Sequence, residues 1–372
     1  MNGNLRVGSL FGIPFYVNPS WFLVLGLVTL TYGQGLAAQF PALPLGLPWL
    51  LGLVTALLLF ASVLAHELGH SAVAMRQGIG VQSITLFLFG GLASLEKESR
   101  TPAEAFWVAI AGPLVSLVLF VLITVVGIST GISGPLGAML SVLASVNLAL
   151  ALFNLIPGLP LDGGNILKAA VWKLTGNPYR GTVFASRVGQ IFGWVAIVSG
   201  LLPLLLVGST ANFWNILVGW FLLQNAGQAA QYATVQSQLS DLTAADAVLA
   251  TSPVVADSLS LREFADQQIL SEGNWRRFLV TNQAGQLVGA VSLDDLSSVG
   301  VENWSDTVVG ALTRPIQQTV ASDRPLLEVV KLLEQDRLSA LPVIGQDGVL
   351  VGLLEKASIL NLLQSRLQTN PA

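Results

Sequence analysis

The stretch Leu64–Ala74, LAHELGHSAVA, decides how the rest of the chain is read. It closes an apolar run that begins LGLVTALLLFASVLA at residue 51, and it places two imidazoles and a carboxylate inside that run. On a helix, positions four apart lie on one face, so His66 and His70 can reach a single ion. Glu67 stands beside them, placed to accept a proton from water rather than to bind the ion. HExxH arises by chance in soluble helices, but these are the only two histidines in the chain. An ionisable group inside an apolar span is costly, which marks it as a functional candidate by default. Nitrogen and oxygen ligands with an open fourth position suit zinc.

Composition agrees with a membrane setting. The 372 residues are 53% hydrophobic and only 10% charged, against about 25% charged in a soluble domain. The charge is also segregated. Residues 1–230 hold Glu67, Glu96, Glu98, Glu104 and Asp162 as their only acids, and the other 16 lie between Asp241 and Glu355. The first part reads as membrane, the second as an aqueous domain. There is no cysteine, which excludes disulfides, thiolate metal sites and a cysteine nucleophile. The N-terminal residues show no apolar signal-peptide core. A net charge of −4 without a basic stripe argues against nucleic acid as a partner.

A span needs about 20 mostly apolar residues. Six segments qualify, at 20–38, 50–75, 104–128, 136–157, 188–207 and 211–228, the last two joined by the turn GSTAN (208–212). Arg6 precedes the first, Arg76, Lys97 and Arg100 fall between the second and third, and Lys168, Lys173, Arg180 and Arg187 fall between the fourth and fifth. The other connections carry no basic residue, so the positive-inside rule places both termini in the cytoplasm. Residues 79–98, IGVQSITLFLFGGLASLEKE, are too short and too rich in glycine and β-branched residues for a span, and predict a β-hairpin at the membrane surface.

A catalytic zinc takes three protein ligands. With no further histidine or cysteine, the third must be a carboxylate. Glu96, Glu98 and Glu104 cluster with Lys97 and Arg100 and read as solvated. Asp162 lies in FNLIPGLPLDGG (153–164), where prolines and glycines break the helix at the end of the fourth span. Its alternative role is to cap the following helix, NILKAAVWKL. The absence of a better ligand favours the metal.

HELGH in the second span, followed by NLIPGLPLDGG after the fourth, resembles the site-2 protease family of intramembrane zinc metalloproteases. FGIPFYVNPSWF (11–22) and the 79–98 hairpin resemble other parts of the family, so the likeness covers nearly all of 1–230. It implies His66, His70 and Asp162 as ligands of one zinc per chain, Glu67 as catalytic base and Asn154 as a polar group near substrate. The alternative for Asn154 is an interhelical hydrogen bond. Members often carry histidine where this chain has Asn18, and arginine where it has Asn165. The implied activity is regulated intramembrane proteolysis of a membrane-anchored protein substrate. An ion path across the bilayer and a pseudo-protease that binds without cutting are the rival readings.

The tail repeats itself. GQLVGAV (285–291) and GVLVGLL (348–354) stand 63 residues apart, as do FLV (278–280) and LPV (341–343). LREF (261–264) matches LLEV (326–329) at an offset of 65. The repeat resembles a pair of CBS domains, which implies an adenine nucleotide (ATP, ADP or AMP) in a cleft. A structural or homodimerising pair that binds nothing is the alternative. The ribose-contacting pattern is kept once, as Ser292 and Asp295, whereas the second repeat has Glu355 and Ser358 at those places. The expected fold is therefore a polytopic α-helical membrane protein, with about six transmembrane helices and a membrane-associated β-hairpin, followed by a cytoplasmic α/β CBS domain pair. The expected boundaries are 1–230 for the membrane-embedded domain, 231–240 for a linker, 241–300 for the first repeat and 301–372 for the second. The expected place is a multi-pass position in the lipid bilayer of a prokaryotic cell membrane.

Overall fold

A computed structural model describes residues 3–88, 90–208, 212–249, 251–270 and 275–369. Residues 209–211 of the expected GSTAN turn and Phe89 of the expected hairpin lie outside the described residues. The chain divides into two compact units, Met1–Ala233 and Thr234–Ala372.

The first unit opens with strands β1 (Leu5–Leu10) and β2 (Ile13–Val17), then helices α1 (Pro19–Gln39) and α2 (Leu47–Arg76). Strands β3 (Val81–Phe87) and β4 (Gly90–Leu95) precede α3 (Pro102–Thr130) and α4 (Gly134–Asn154). A short α5 (Asp162–Thr175) leads to α6 (Pro178–Val207) and α7 (Phe213–Leu239). Among the described residues, α1, α2, α3, α4 and α6 are long and apolar enough to cross a membrane. The sixth expected span falls on α7. Its first turns are apolar, but QNAGQAAQYATVQSQ from Gln224 onward lowers its hydropathy, and it is not among the five.

Three of these helices begin in the same way. Asn18, Thr101 and Asn177 each precede a proline, and each side chain accepts a hydrogen bond from the backbone N–H of the first turn. The cap satisfies an otherwise orphaned donor, and proline at the first helical position has no N–H to lose. Asn18, where the family often has histidine, is thus the cap of α1, and its amide nitrogen also donates to Asn4 Oδ1 at 2.8 Å.

The 79–98 hairpin is present as β3 and β4, but it belongs to a larger sheet of order β1-β2-β3-β4. The N-terminal hairpin adds to it by parallel pairing of Phe15, Tyr16 and Val17 with Ile84, Thr85 and Leu86. β3 is therefore an internal strand, with Ile84 fully buried, and β4 is an edge.

The second unit contains two similar halves. In one, β5 (Val254–Ala256), α8 (Leu261–Leu270), β6 (Arg277–Thr281) and β7 (Leu287–Ser292) form a three-stranded sheet with its helix. In the other, β8 (Val320–Ala321), α9 (Leu326–Gln335), β9 (Ala340–Ile344) and β10 (Leu350–Glu355) repeat that order, and α10 (Lys356–Thr369) follows. The segments that lead into the halves are exchanged. Leu242, Ala244 and Ala247, which precede the first half, are buried in the core of the second, with Val320, Leu326 and Leu354. Val309, which precedes the second half, is buried with Phe264, Phe278 and Val291 of the first. This exchange ties the two copies into one folded body, because neither core is complete without a segment from the other's side of the sequence.

Candidate active site

The α2 helix presents His66 and His70 on one face, one turn apart, with ring centroids 5.0 Å apart. The loop after α4 carries the chain back so that Asp162, the first residue of α5, meets them. Asp162 Oδ2 lies 3.1 Å from His66 Nε2, and Oδ1 lies 3.3 Å from His70 Nε2. Asp162 does not cap α5. Leu161 occupies the cap position, with no side-chain cap bond, so the capping alternative is not what the fold uses.

Helix α3 supplies the rest of the wall. His70 Nδ1 donates to the Val108 carbonyl at 2.7 Å, and His66 Nδ1 pairs with Ser116 Oγ at 2.9 Å. A proton held on Nδ1 leaves the Nε2 lone pair facing inward. The two Nε2 atoms approach to 3.3 Å. Two inward lone pairs and a carboxylate, with ligand atoms all within 4.8 Å of one another, form a set that a cation resolves, and among the described residues it is the one such group. Gly112 makes room for it: a Cβ there would lie 2.2 Å from His70 Nε2 and 2.6 Å from His66 Nε2. The donor chemistry and the space both fit zinc.

Glu67 points from the same helix to the other side, against the edge strand. Glu67 and Ala93 of β4 line the same cavity. Gly91 is the contact that lets β4 come so close, since a Cβ there would meet Glu67 Cγ at 2.4 Å. The ligands, Glu67 and β4 open onto a cavity of about 360 Å³, lined further by Leu150, Asn154, Asn165 and Trp172. Asn154 ends α4 half-buried at this cavity, and Asn165 lies on α5 one turn beyond Asp162.

The residues that sequence reasoning missed are Gly91, Gly112, Ser116 and the Val108 carbonyl. AGPLVS (111–116) carries the one local hint, a cluster of small residues in an apolar helix, which marks close helix approach.

In the second unit, Ser292 and Asp295 meet, but as a capping box. Ser292 N–H donates to Asp295 Oδ2 at 2.9 Å, and Arg314 pairs with Oδ1 of the same carboxylate. They border a cleft of about 960 Å³ that also holds Arg276, Arg277 and Glu355. In the second half the equivalent Ser358 donates to the Ala247 carbonyl at 2.7 Å.

This fold and site define a class: a membrane-embedded zinc metalloprotease carrying a CBS pair. The chain matches the model of peptidase family M50 over residues 54–134 and 128–196, and the CBS domain model over 309–365. A Synechocystis protein bearing a zinc metalloprotease name is 58% identical over 98% of this chain and 97% of its own length. The Mycobacterium tuberculosis protein Rip3, also named for zinc metalloprotease activity, is 33% identical over 98% of this chain and 93% of its own. The solved site-2 protease from Methanocaldococcus jannaschii is 31% identical, covers 61% of this chain and 95% of its own, and superposes with a TM-score of 0.44. The chain belongs to peptidase family M50, the site-2 protease family of zinc metalloproteases.

Proposed function

We propose that this metalloprotease is an endopeptidase that hydrolyses a peptide bond in or beside the transmembrane segment of membrane-anchored proteins. The observation that carries this reading is the position of the site. His66, Glu67 and His70 stand on a helix long and apolar enough to span, yet they open onto a cavity that also carries Glu98, Ser99, Asn154, Asn165 and Lys168 among its apolar lining. His66, His70 and Asp162 would hold one zinc, which when bound polarises the scissile carbonyl and makes water a better nucleophile at neutral pH.

The chain's own residues account for the remaining requirements. Glu67 accepts the proton of the attacking water and returns it to the leaving amine. A substrate helix has its peptide groups bonded internally, so it must unwind, and the freed groups need partners. The edge of β4 supports addition of the extended segment as a further strand. Glu96 N–H donates inward to the Gly80 carbonyl, so by the alternation of the pleat Gly91, Ala93 and Leu95 turn theirs to the open edge. Asn154, which lines the same cavity, is available to bond a substrate peptide group. The distribution of basic residues supports both termini and the tail on the cytoplasmic side, a reading that requires α7 as a sixth span.

The test is cleavage of a panel of single-span substrates by the purified full chain, with zinc measured. Glu67→Gln should lower turnover by about 10²- to 10⁴-fold while zinc stays near one per chain. Turnover near wild type would remove Glu67 from its role. For the tail, three arginines around one cleft support an adenine nucleotide that modulates the protease. ATP or AMP should then shift the cleavage rate, and deletion of 241–372 should abolish the shift. An unresponsive full chain leaves the pair as a structural or dimerising element.

A further inference from the structure

The rim of the catalytic cavity carries a cation that the proposed chemistry does not use. Lys168 is the one lysine or arginine among the described residues that line the cavity. Its side chain is 22% exposed, and its Nζ lies 3.8 Å from Oε2 of Glu98, a carboxylate that is 74% exposed. That separation is longer than a hydrogen bond. So open a pair contributes little, and another carboxylate can replace Glu98 at small cost.

The placement of Lys168 relative to the metal ligands is set by helix geometry. Asp162, Asn165, Lys168 and Trp172 follow one another at helical spacing on α5 and all line the cavity. They form a stripe that runs from the zinc ligand to the rim. Six residues at the helical rise put Lys168 about 9 Å along the axis from Asp162. An extended peptide covers that distance in about three residues. The same cavity is lined by β4 and, beyond it in the chain, by Glu98, the partner of Lys168. A substrate strand lying along β4 therefore passes Lys168 soon after it leaves the reacting bond.

We infer that Lys168 is a specificity-determining residue of the protease: it receives the carboxylate of an aspartate or glutamate side chain about three residues from the scissile bond, and Glu98 holds that place until substrate enters. The inference rests on the protease reading and deepens it. It names the substrate class as membrane-anchored proteins with an acidic residue close to the cleaved bond.

The experiment uses the purified full chain, with zinc measured, and one single-span substrate varied to Asp, Asn or Lys at each position up to four residues either side of the cut. The readout is the ratio of kcat/KM for Asp over Asn within each enzyme variant, so a general loss of activity cancels. Wild type should favour Asp by about tenfold at one position. Lys168→Met should bring that ratio to about one, Lys168→Arg should keep it, and Lys168→Glu should favour the Lys substrate instead. Glu98→Gln should widen the wild-type ratio by removing the competitor, and it carries the test if Lys168→Met fails to fold. Equal cleavage of Asp and Asn substrates by wild type at every position, or an unchanged ratio in Lys168→Met, would overturn the inference and leave the protease intact. Failure of wild type to cleave any substrate would overturn the protease reading and this inference with it.

Discussion

Asp162 in the first unit and Asp295 in the second share two local features. Each lies in the first turn of a short helix, and their side chains are 16% and 15% exposed. Their partners differ. Asp295 gives one oxygen to a backbone N–H of its own turn and the other to Arg314, a permanent cation. Asp162 gives its two oxygens to two imidazoles whose other nitrogens are already held by Ser116 and the Val108 carbonyl. One carboxylate has its charge balanced by the protein. The other meets two ring nitrogens and no permanent cation, and a bound metal ion would balance it. Burial and a place in the first turn do not separate a candidate ligand from a cap; the set of partners does.

The sharpest test of this contrast is removal of each carboxylate in turn. Asp162→Ala should reduce zinc to background in dialysed protein and abolish cleavage, read by metal analysis and by substrate turnover. Retention of a full zinc complement would place the third ligand elsewhere. Gly112→Ala should resemble it, because the new methyl occupies the space into which both Nε2 atoms point. A smaller effect is expected from the groups behind the ligands. Ser116→Ala should weaken zinc affinity by about 10- to 100-fold, measured by competition with a chelator, with Ser116→Thr restoring most of it.

The edge of β4 comes next. Proline is tolerated on an edge strand where its missing N–H faces outward. Leu95→Pro should therefore lower kcat/KM about fivefold, the worth of one hydrogen bond to substrate, and leave zinc content unchanged. An unaltered kcat/KM would exclude strand addition at that position. Ile84 and Leu86 are unsuitable for the same test, since β3 is internal and proline there breaks the sheet. The smallest effect belongs to the other aspartate. Asp295→Ala should cost the tail about 1 kcal/mol of stability through the lost cap, seen by urea unfolding, without any change in zinc. Loss of zinc in that variant would mean that the two sites are coupled, and the contrast between them would fail.

Much of this was legible in the sequence because it depends on short spacings. HELGH places its two imidazoles by helical periodicity alone, and the two histidines being the only ones makes the pairing unambiguous. Asp162 was favoured by the lack of a better ligand and by the family resemblance, and the structure brings its carboxylate to the two imidazoles. The tail's repeat was visible as matched LVG segments. The N-terminal hairpin was less legible, because GSLFGIPFYV gains its place only by pairing with Ile84 and its neighbours, far along the chain. The exchange of lead segments between the halves was hidden for the same reason, since a repeat in sequence does not say which copy's core a linker completes.

What the sequence by itself determined is the inventory: which atoms could bind a metal, which carboxylate stands beside them, and five of the helices apolar enough to lie in a bilayer. These follow from residue type and local period. What only the tertiary structure decided is how the inventory becomes a site. Ser116, Gly112 and the Val108 carbonyl are ordinary members of an apolar helix until α3 is packed against α2. Gly91 is an ordinary hairpin glycine until β4 is laid beside Glu67. Their roles depend on contacts a few ångströms long between residues dozens of positions apart, and no local pattern records such contacts.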